Sequence, residues 1–219
     1  MTTIDIKNIT KIIKKNTVLD NISLTMSSGK IYGFQGINGS GKTMLMRCII
    51  GLIHPTSGCI SINGKFLGKD IEFPESIGFL LENPAFLDGY TGIENLRMLT
   101  KLNSNLTDTE LNTILDKVEL TDAGNKKYKK YSLGMKQRLG IAAAVMEHPD
   151  ILILDEPTNA LDTNGINIVK DIIVSERNRG ALVIISCHDT DLLINLSDEI
   201  FRLQAGQLVE HTVKKSTAK

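Results

Sequence analysis

The sequence predicts an α/β protein with a mostly parallel central sheet. Two apolar runs, "ILIL" before Asp155 and "ALVIIS" before Cys187, are continuous rather than alternating, which is typical of strands buried on both faces of a parallel sheet. A third run, "IYGFQ", leads into the glycine-rich stretch "GINGSGKT", and the apolar segment "MLMRCIIGLI", of helical length, follows it. A strand, a glycine-rich loop and a helix in this order are the context that a phosphate-binding loop requires.

An antiparallel β-subdomain is predicted at the N-terminus, ahead of this core. Isoleucines recur through the first strand-like segment, and Ile22, Leu24 and Met26 alternate with polar residues in the second. The turn "SSGK" separates the second segment from the core. Near the end of the chain, "IFRLQAGQLVEH" predicts a further hairpin with Gly206 at its turn.

A helical subdomain is predicted at about residues 72–145, inserted into the core after the glycine-rich loop. This region contains polar helical patterns such as "TDTELNTILDKVEL", in which Thr107 and Glu110 have the spacing of a capping box. Apolar residues make up 42% of the chain, enough for one sizeable core. We therefore expect residues 1–219 to form a single domain.

The composition limits the classes of function. Lysine plus arginine and aspartate plus glutamate each number 25, so the charge balance gives no indication of nucleic-acid binding. The 3 cysteines are scattered without metal-binding spacing, which fits a reducing cytosol. The chain has no run of about 18 apolar residues, so we do not expect it to span a membrane by itself.

The glycine-rich loop is predicted to hold the phosphates of a Mg²⁺-bound nucleoside triphosphate. Its glycines let the backbone turn N–H groups inward, and the N-terminus of the following helix adds to this anion-binding nest. Lys42 can reach the β- and γ-phosphates, and the Thr43 hydroxyl is placed to bind Mg²⁺. The alternative, a glycine-rich turn with a chance lysine, leaves the flanking strand and helix unexplained. The predicted nucleotide-binding residues are Gly36, Ile37, Asn38, Gly39, Ser40, Gly41, Lys42, Thr43 and Met44.

Two carboxylates follow the apolar run "ILIL". Asp155 ends this strand and can hold the magnesium ion through water. Glu156 can polarise a water molecule aimed at the γ-phosphate. Acidic residues are common at strand ends, so the pair indicates this chemistry only in combination with the phosphate-binding loop.

A third motif, "YSLGMKQR", precedes an apolar helix, and its Ser132 is a good N-cap residue at a helix terminus that attracts phosphate. With it, the chain resembles the ATP-binding subunits of ABC transporters. "GINGSGKT" is similar to their Walker A motif, "ILILDE" to their Walker B motif, "YSLGM" to their signature motif and "NALD" to their D-loop. His188 falls at their switch histidine, and the order and spacing agree over essentially the whole chain.

This resemblance implies a P-loop NTPase core with the helical subdomain inserted between the Walker A and signature motifs. It implies an ATPase with Lys42, Glu156 and His188 as catalytic residues. Two such subunits, identical or related, would face each other head to tail, so that Ser132 and Gly134 contact the nucleotide of the second subunit. Closure of the pair would drive a separate polytopic permease, with the ATPase at the cytoplasmic face of a bacterial cell membrane.

The chain departs from the family pattern at several positions. Ile13 stands where an aromatic residue usually stacks on adenine, and Glu82 stands where the Q-loop usually has a glutamine, so we expect Glu82 to contact Mg²⁺ or its water. Leu133 and Met135 replace the usual glycine and glutamine of the signature motif, and Met44 replaces a frequent threonine.

Glu82 and "YSLGMKQRLGIA" most resemble the ATPases of bacterial exporters for bacitracin and lantibiotics, which confer self-protection or drug resistance. Two roles are open for Phe86 and Leu87, in the apolar stretch after Glu82. They either dock a cytoplasmic loop of the permease or belong to the subdomain's own core.

Two other classes of protein compete with a transporter motor. A soluble ABC-type ATPase of translation would join two cassettes in one chain, and one of DNA repair would insert long coiled coils; neither feature is in this sequence. An unrelated phosphate-loop enzyme such as a kinase would leave the signature motif and His188 unexplained. A neighbouring gene for a polytopic membrane protein would favour the transporter motor.

Overall fold

The computed structural model describes residues 1–101 and 104–214, which form ten strands and six α-helices. The strands are β1 (Thr3–Ile13), β2 (Asn16–Ser27), β3 (Ile31–Gln35), β4 (Ser57–Ile62), β5 (Lys65–Phe66), β6 (Ile77–Leu80), β7 (Ile151–Leu154), β8 (Leu182–Ser186), β9 (Glu199–Gln204) and β10 (Gln207–Val213). The α-helices are α1 (Lys42–Ile50), α2 (Gly92–Thr100), α3 (Asp108–Lys117), α4 (Leu133–Val145), α5 (Thr163–Arg179) and α6 (Thr190–Leu196). Short 3₁₀ helices span Thr121–Ala123 and Tyr128–Lys130.

The N-terminal strands form a small antiparallel sheet in the order β2-β1-β4-β5, which confirms the predicted β-subdomain. Ile4 pairs with Met26 and Ile6 with Leu24, and all four side chains are buried. The alternation read in the sequence therefore marks the face of this sheet that packs on the core.

The large sheet has the order β10-β9-β3-β8-β7-β6, in which β9, β3, β8, β7 and β6 run parallel. Every residue of β7 and of β8 is buried, as the continuous apolar runs predicted. The strand β10 is antiparallel to β9, and Gly206 lies at the turn between them with a positive φ of 81°. The mostly parallel α/β fold is thereby confirmed.

Two hydrophobic clusters cover the two faces of the large sheet. Leu152 and Leu154 face the cluster that contains the inward sides of α3, α4 and α5. Ile151 and Ile153 face the other cluster, which joins α1 and the small antiparallel sheet. Because successive side chains of a strand point to opposite faces, β7 contributes to both clusters and is fixed in register by both.

The helical region begins later than predicted. Residues 77–80, inside the predicted helical subdomain, form β6, which pairs parallel to β7 at the edge of the large sheet. Four residues that include Gly78 and the exposed Phe79 are too short and too mixed to show a clear period in the sequence. The first helix of the region, α2, starts at Gly92. The capping box of Thr107 and Glu110 at the start of α3 is confirmed.

None of the helices in the described part of the chain combines the length and the apolar character needed to cross a lipid bilayer.

Candidate active site

A cavity of about 560 Å³ lies where β3 and β7 end, at the carboxyl edge of the large sheet. Such an edge is where open parallel sheets bind their ligands. Residues 38–44, from the glycine-rich loop and the first turn of α1, form one wall of the cavity. Asp155, Glu156 and His188 line it from the ends of the neighbouring strands.

The glycine-rich loop is shaped by backbone conformations that favour glycine. Gly41 has φ 109° at the N-cap of α1, and Gly39 has φ 78°. A Cβ atom at Gly36, φ 155°, would clash with the carbonyl oxygen of Leu203 and the hydroxyl of Ser40. These three glycines let the loop turn sharply between β3 and α1.

The N-terminus of α1 is open to an anion. Among the six α-helices of the described residues, α1 alone has no side-chain hydrogen bond at its N-cap; the caps of the others are Thr91, Thr107, Ser132, Asp162 and Asp189. Its first turn also has no acidic residue. The free N–H groups and the positive end of the helix dipole therefore point at the cavity without a competing carboxylate.

The Lys42 ammonium is held at the mouth of the loop. Its Nζ donates hydrogen bonds to the carbonyl oxygens of Gly36 at 2.6 Å and Ile37 at 3.2 Å, although the residue is only 7% exposed. Among the described residues, this nearly buried ammonium forms hydrogen bonds only with carbonyl oxygens and takes part in no ion pair. An oligophosphate would supply a neutralising negative charge.

Thr43 and Asp155 meet beside the loop. The Thr43 hydroxyl donates to Asp155 Oδ2 at 2.5 Å, and Asp155 Oδ1 accepts a hydrogen bond from the Ser186 hydroxyl. Asp155 is 4% exposed. A hydroxyl and a buried carboxylate at this separation are two oxygen donors of the kind that Mg²⁺ takes beside phosphate oxygens and water. The residues present therefore fit a Mg²⁺–nucleotide complex.

Glu156 is fixed by its neighbours but keeps one free oxygen. Its Oε2 accepts a hydrogen bond from the backbone N–H of His188 at 2.9 Å, and its own backbone N–H donates to Ser186 Oγ at 3.0 Å. Its Oε1 is buried and has no hydrogen-bond partner among the described residues; His188 Nε2 lies 3.5 Å away. An orphaned carboxylate oxygen in a cavity wall is a position where a water molecule can be bound and deprotonated.

The pKa of the Glu156 carboxyl is raised, which favours its action as a general base. Burial raises the pKa of its carboxyl above the usual 4.5, and the nearby Asp155 charge acts in the same direction. The backbone N–H of His188, the electrostatic effect of the His188 side chain and the Lys42 ammonium lower this pKa but do not cancel the effect of burial. A carboxylate with a raised pKa accepts a proton more readily.

Glu82 lies in the wall of the cavity, and its carboxylate forms an ion pair with Arg47. The Arg47 Nη2 to Glu82 Oε1 distance is 2.6 Å, and Glu82 has a left-handed backbone with φ 56°. The side chain that was predicted to contact Mg²⁺ is thus bonded to a cation of the protein. Its role toward the metal stays a prediction.

Of three other predicted nucleotide contacts, two lie away from this wall and one lines it. Ile37 is 79% exposed at the tip of the loop. Ile13 is half-exposed at the end of β1; Val18, on the paired strand β2, lines the cavity, whereas Ile13 does not. Met44 does line the cavity.

The signature motif lies at the start of α4 and does not line the cavity in the described chain. Ser132 is the N-cap, as predicted, and its hydroxyl accepts the Met135 N–H at 3.2 Å. Leu133 is 60% exposed. Gly134 packs against the loop after β7, since a Cβ there would lie 3.0 Å from the Ala160 carbonyl oxygen.

Three residues at the site were missed from the sequence. Ser186 bridges Asp155 and the Glu156 N–H, Gln137 lines the cavity from α4, and Arg47 pairs with Glu82. The position of Ser186, two residues before His188 at the end of a buried strand, was a usable signal. Gln137 and Arg47 are polar residues within helices, and nothing in the sequence around them indicates a place in the site.

An apolar groove of about 600 Å³ adjoins the cavity, and Arg47 and Asn83 line both. Phe86 lines this groove and packs edge to face on Tyr128, with ring centroids 5.3 Å apart. Leu87 is 53% exposed. Phe86 is therefore partly a core residue, whereas the Leu87 side chain is exposed on the surface.

The family model described as ABC transporter matches residues 19–159. The chain is 48% identical over 205 residues to the uncharacterized ABC transporter ATP-binding protein YybJ of Bacillus subtilis, covering 94% of each. It is 39% identical to the bacitracin transport ATP-binding protein BcrA of Enterococcus faecalis, covering 94% of this chain and 68% of BcrA. With the lantibiotic transport ATP-binding protein SrtF of Streptococcus pyogenes it shares 34% identity, covering 93% of this chain and 88% of SrtF.

Solved structures share the fold. An ATP-binding subunit of an ABC transporter superposes with a TM-score of 0.87 at 25% identity, covering 96% of this chain and 89% of that one. The ATP-binding cassette MJ0796, solved as a dimer in a post-hydrolysis state with ADP and Pi, gives 0.86 at 23% identity, covering 96% of this chain and 98% of MJ0796.

Proposed function

Because this chain belongs to the ABC transporter family of ATP-binding proteins, we propose that it is the motor subunit of an exporter for antimicrobial peptides or drugs. The chain is an ATPase, and the dimeric cassettes of this fold support an ATP-driven motor. One arrangement carries the proposal: the Thr43–Asp155 contact and the free Glu156 Oε1 share a cavity with an uncapped helix N-terminus.

The phosphates of ATP bind to the loop and to the first turn of α1. The N–H groups there point at the anion, and the Lys42 ammonium exchanges the Gly36 and Ile37 carbonyls for phosphate oxygens. Mg²⁺ bound at the Thr43 hydroxyl and the Asp155 carboxylate supplies charge neutralisation for the phosphoryl group being transferred.

Glu156 is the base of the hydrolytic step. A water molecule at Oε1 gives up its proton to this oxygen as its own oxygen bonds to the γ-phosphorus, and the bond from that phosphorus to the β–γ bridging oxygen breaks. The products are ADP and phosphate. His188 keeps Oε2 occupied through its N–H, so the proton goes to Oε1.

A second ATPase subunit completes the site. Ser132 and Gly134 lie outside the cavity of their own chain, and the exposed Leu133 stands between them. A head-to-tail pair would place these residues against the nucleotide of the second subunit, as in a closed two-fold assembly. The second subunit is either a copy of this chain or a related cassette, and no nucleic acid takes part.

A membrane permease is the second kind of partner. The apolar groove beside the cavity, with the exposed Leu87 near it, has the character of a surface that an apolar segment covers. Arg47 lines both the groove and the cavity, so a segment in the groove acts on the side chain that holds Glu82. The motor then sits at the cytoplasmic face of a bacterial membrane. Bacitracin and lantibiotic transport, named for BcrA and SrtF, indicate the class of cargo.

Reconstitution tests this function. The tagged chain is purified from membranes of its native host together with any polytopic membrane protein that it binds, and the complex is reconstituted in liposomes with bacitracin as the probe. We expect ATP hydrolysis to rise when bacitracin is added, and Glu156→Gln complexes to show no rise. A chain that hydrolyses ATP but purifies without any membrane protein would contradict the motor role.

A further inference from the structure

Gln137 connects the signature helix to the loop that carries Glu156. It lies in the second turn of α4 and is only 5% exposed. Its side-chain Nε2 donates hydrogen bonds to the carbonyl oxygens of Glu156 and Pro157, both at 3.2 Å. Because both partners are acceptors, only the amide NH₂ can make this pair of bonds.

The backbone that Gln137 clamps has an unfavourable conformation. Glu156 has a left-handed φ of 52°, which residues with a Cβ rarely adopt. Its N–H is held by Ser186 and its Oε2 by the His188 N–H, while Gln137 holds its carbonyl. The Asn159 N–H donates to the same Glu156 carbonyl at 3.2 Å, and Gln137 adds its bond there and a second one to the next carbonyl, that of Pro157. Gln137 therefore ties the peptide on the carboxyl side of Glu156 to helix α4, which the Ser186 and His188 contacts do not reach.

The first turn of α4 touches the same loop. A Cβ at Gly134 would lie 3.0 Å from the Ala160 carbonyl oxygen, so the helix approaches this backbone closely at two points one turn apart. The helix begins at Ser132, outside the cavity. A contact that shifts the start of α4 would therefore also shift the Glu156 peptide, because the helix packs against that loop at Gly134 and at Gln137.

We propose that Gln137 is a positioning residue that sets the Glu156 carboxylate for hydrolysis according to what the start of its own α4 helix has bound. The inference rests on the proposed ATPase function, in which Ser132 and Gly134 contact the nucleotide of the second subunit. In this arrangement, α4 couples binding of the second subunit's ATP at Ser132 and Gly134 to the position of Glu156, which hydrolyses the ATP of its own chain. Gln137 lines the cavity, but its two side-chain hydrogen bonds go to the backbone, so the role proposed for it acts through Glu156.

The first test compares Gln137→Met with Arg138→Met. Arg138 is the next residue of α4 and also donates to two carbonyl oxygens, those of Val118 and Glu119 at 3.3 Å, but on the side of the helical region. We expect Gln137→Met to lower kcat about tenfold or more while the Kd for MgATP changes less than about twofold. Arg138→Met should keep the wild-type kcat and the same Kd.

The second test uses Gln137→Glu, which keeps the shape of the side chain. The introduced carboxylate has no proton to donate to the two carbonyls, but its protonated form has one, and burial raises its pKa. The kcat of this variant relative to wild type should therefore rise as the pH falls from 8 to about 6. A packing role alone predicts a constant ratio.

The outcomes separate the inference from the function. If wild-type protein hydrolyses ATP and Gln137→Met retains its kcat, the positioning role is wrong and the ATPase function stands. A fall in MgATP affinity equal to the fall in kcat, or a pH-independent ratio for Gln137→Glu, would also overturn it. Wild-type protein that does not hydrolyse ATP would instead overturn the proposed function.

Discussion

Arg47 and Glu82 face each other at the boundary between the nucleotide cavity and the apolar groove, with Arg47 Nη2 2.6 Å from Glu82 Oε1. The Glu82 side chain is 63% exposed, and an ion pair this exposed contributes little to the free energy of unfolding. A weak pair of this kind can exchange its partner at low cost. Because it lies between the nucleotide cavity and the groove that we propose binds the permease, we propose that it couples the two.

Glu82→Gln is therefore expected to change the Mg²⁺ dependence and the coupling to the permease more than ATP binding. The amide keeps the size of the side chain but loses the charge that pairs with Arg47 or with the metal. The measurements are a Mg²⁺ titration of ATP hydrolysis and the rise in hydrolysis on adding the permease. Glu75→Gln is the control, since Glu75 forms an exposed pair with Lys65 at 2.6 Å outside the cavity. Wild-type values in all assays would make Glu82 a tolerated variation.

Lys42→Ala should abolish hydrolysis and strongly weaken ATP binding, because the phosphates lose a nearly buried cation. Binding is measured by titration with a fluorescent ATP analogue, and turnover by release of phosphate. Lys65→Ala, which removes an exposed lysine outside the cavity, controls for the loss of charge. Unchanged turnover in the Lys42 variant would refute the phosphate-binding assignment of the loop.

The raised pKa of Glu156 predicts the pH dependence of hydrolysis. A base must be deprotonated, so kcat should fall as the pH falls through a pKa above 4.5. The His188 side chain lowers the pKa of Glu156, so His188→Ala should move this acid limb to higher pH. Profiles of kcat against pH at saturating MgATP measure the apparent pKa of the acid limb in the wild type and in the His188→Ala variant. An acid limb that stays in place in the variant argues against an electrostatic effect of His188 on the base.

Ile13→Tyr is expected to tighten ATP binding several-fold, if Ile13 contacts adenine. An aromatic face on a base is worth roughly 1–3 kcal/mol in nucleic-acid complexes, and Ile13 lies on the hairpin whose second strand carries the cavity residue Val18. Ile12→Tyr is the matched control, because successive residues of a strand face opposite ways. Calorimetry that finds equal affinities for wild type and the Ile13 variant would place the base contact elsewhere.

The parts of this molecule that the sequence predicts well are local. A strand, a glycine-rich loop and a helix within about 20 residues, and the alternation in β2, follow from short-range sterics and burial that each segment shows on its own. Strand β6 was missed because four residues give no readable period. Arg47 and Glu82 are 35 positions apart, and Gln137 and Glu156 are 19 apart. Such polar contacts depend on how helices pack on the sheet, which no local pattern encodes.

The same limit applies to the signature motif. Its spacing identifies Ser132 as a helix cap, and the structure confirms that cap. Leu133 is exposed, and we propose that it contacts a second subunit, so the proposed site is shared between two folded chains. Pairing of two chains by MgATP is therefore the central claim.

Glu156→Gln tests that claim most directly. The amide can still accept the His188 N–H, but it cannot take the proton of the attacking water, so ATP should stay bound and hold two subunits together. The measurement is sedimentation velocity of this variant with MgATP, MgADP, or ATP plus EDTA. We predict a dimer with MgATP alone, and a monomer when Ser132→Arg is added to the same chain. A Glu156→Gln protein that binds MgATP and remains a monomer would contradict the nucleotide-driven pairing of these subunits.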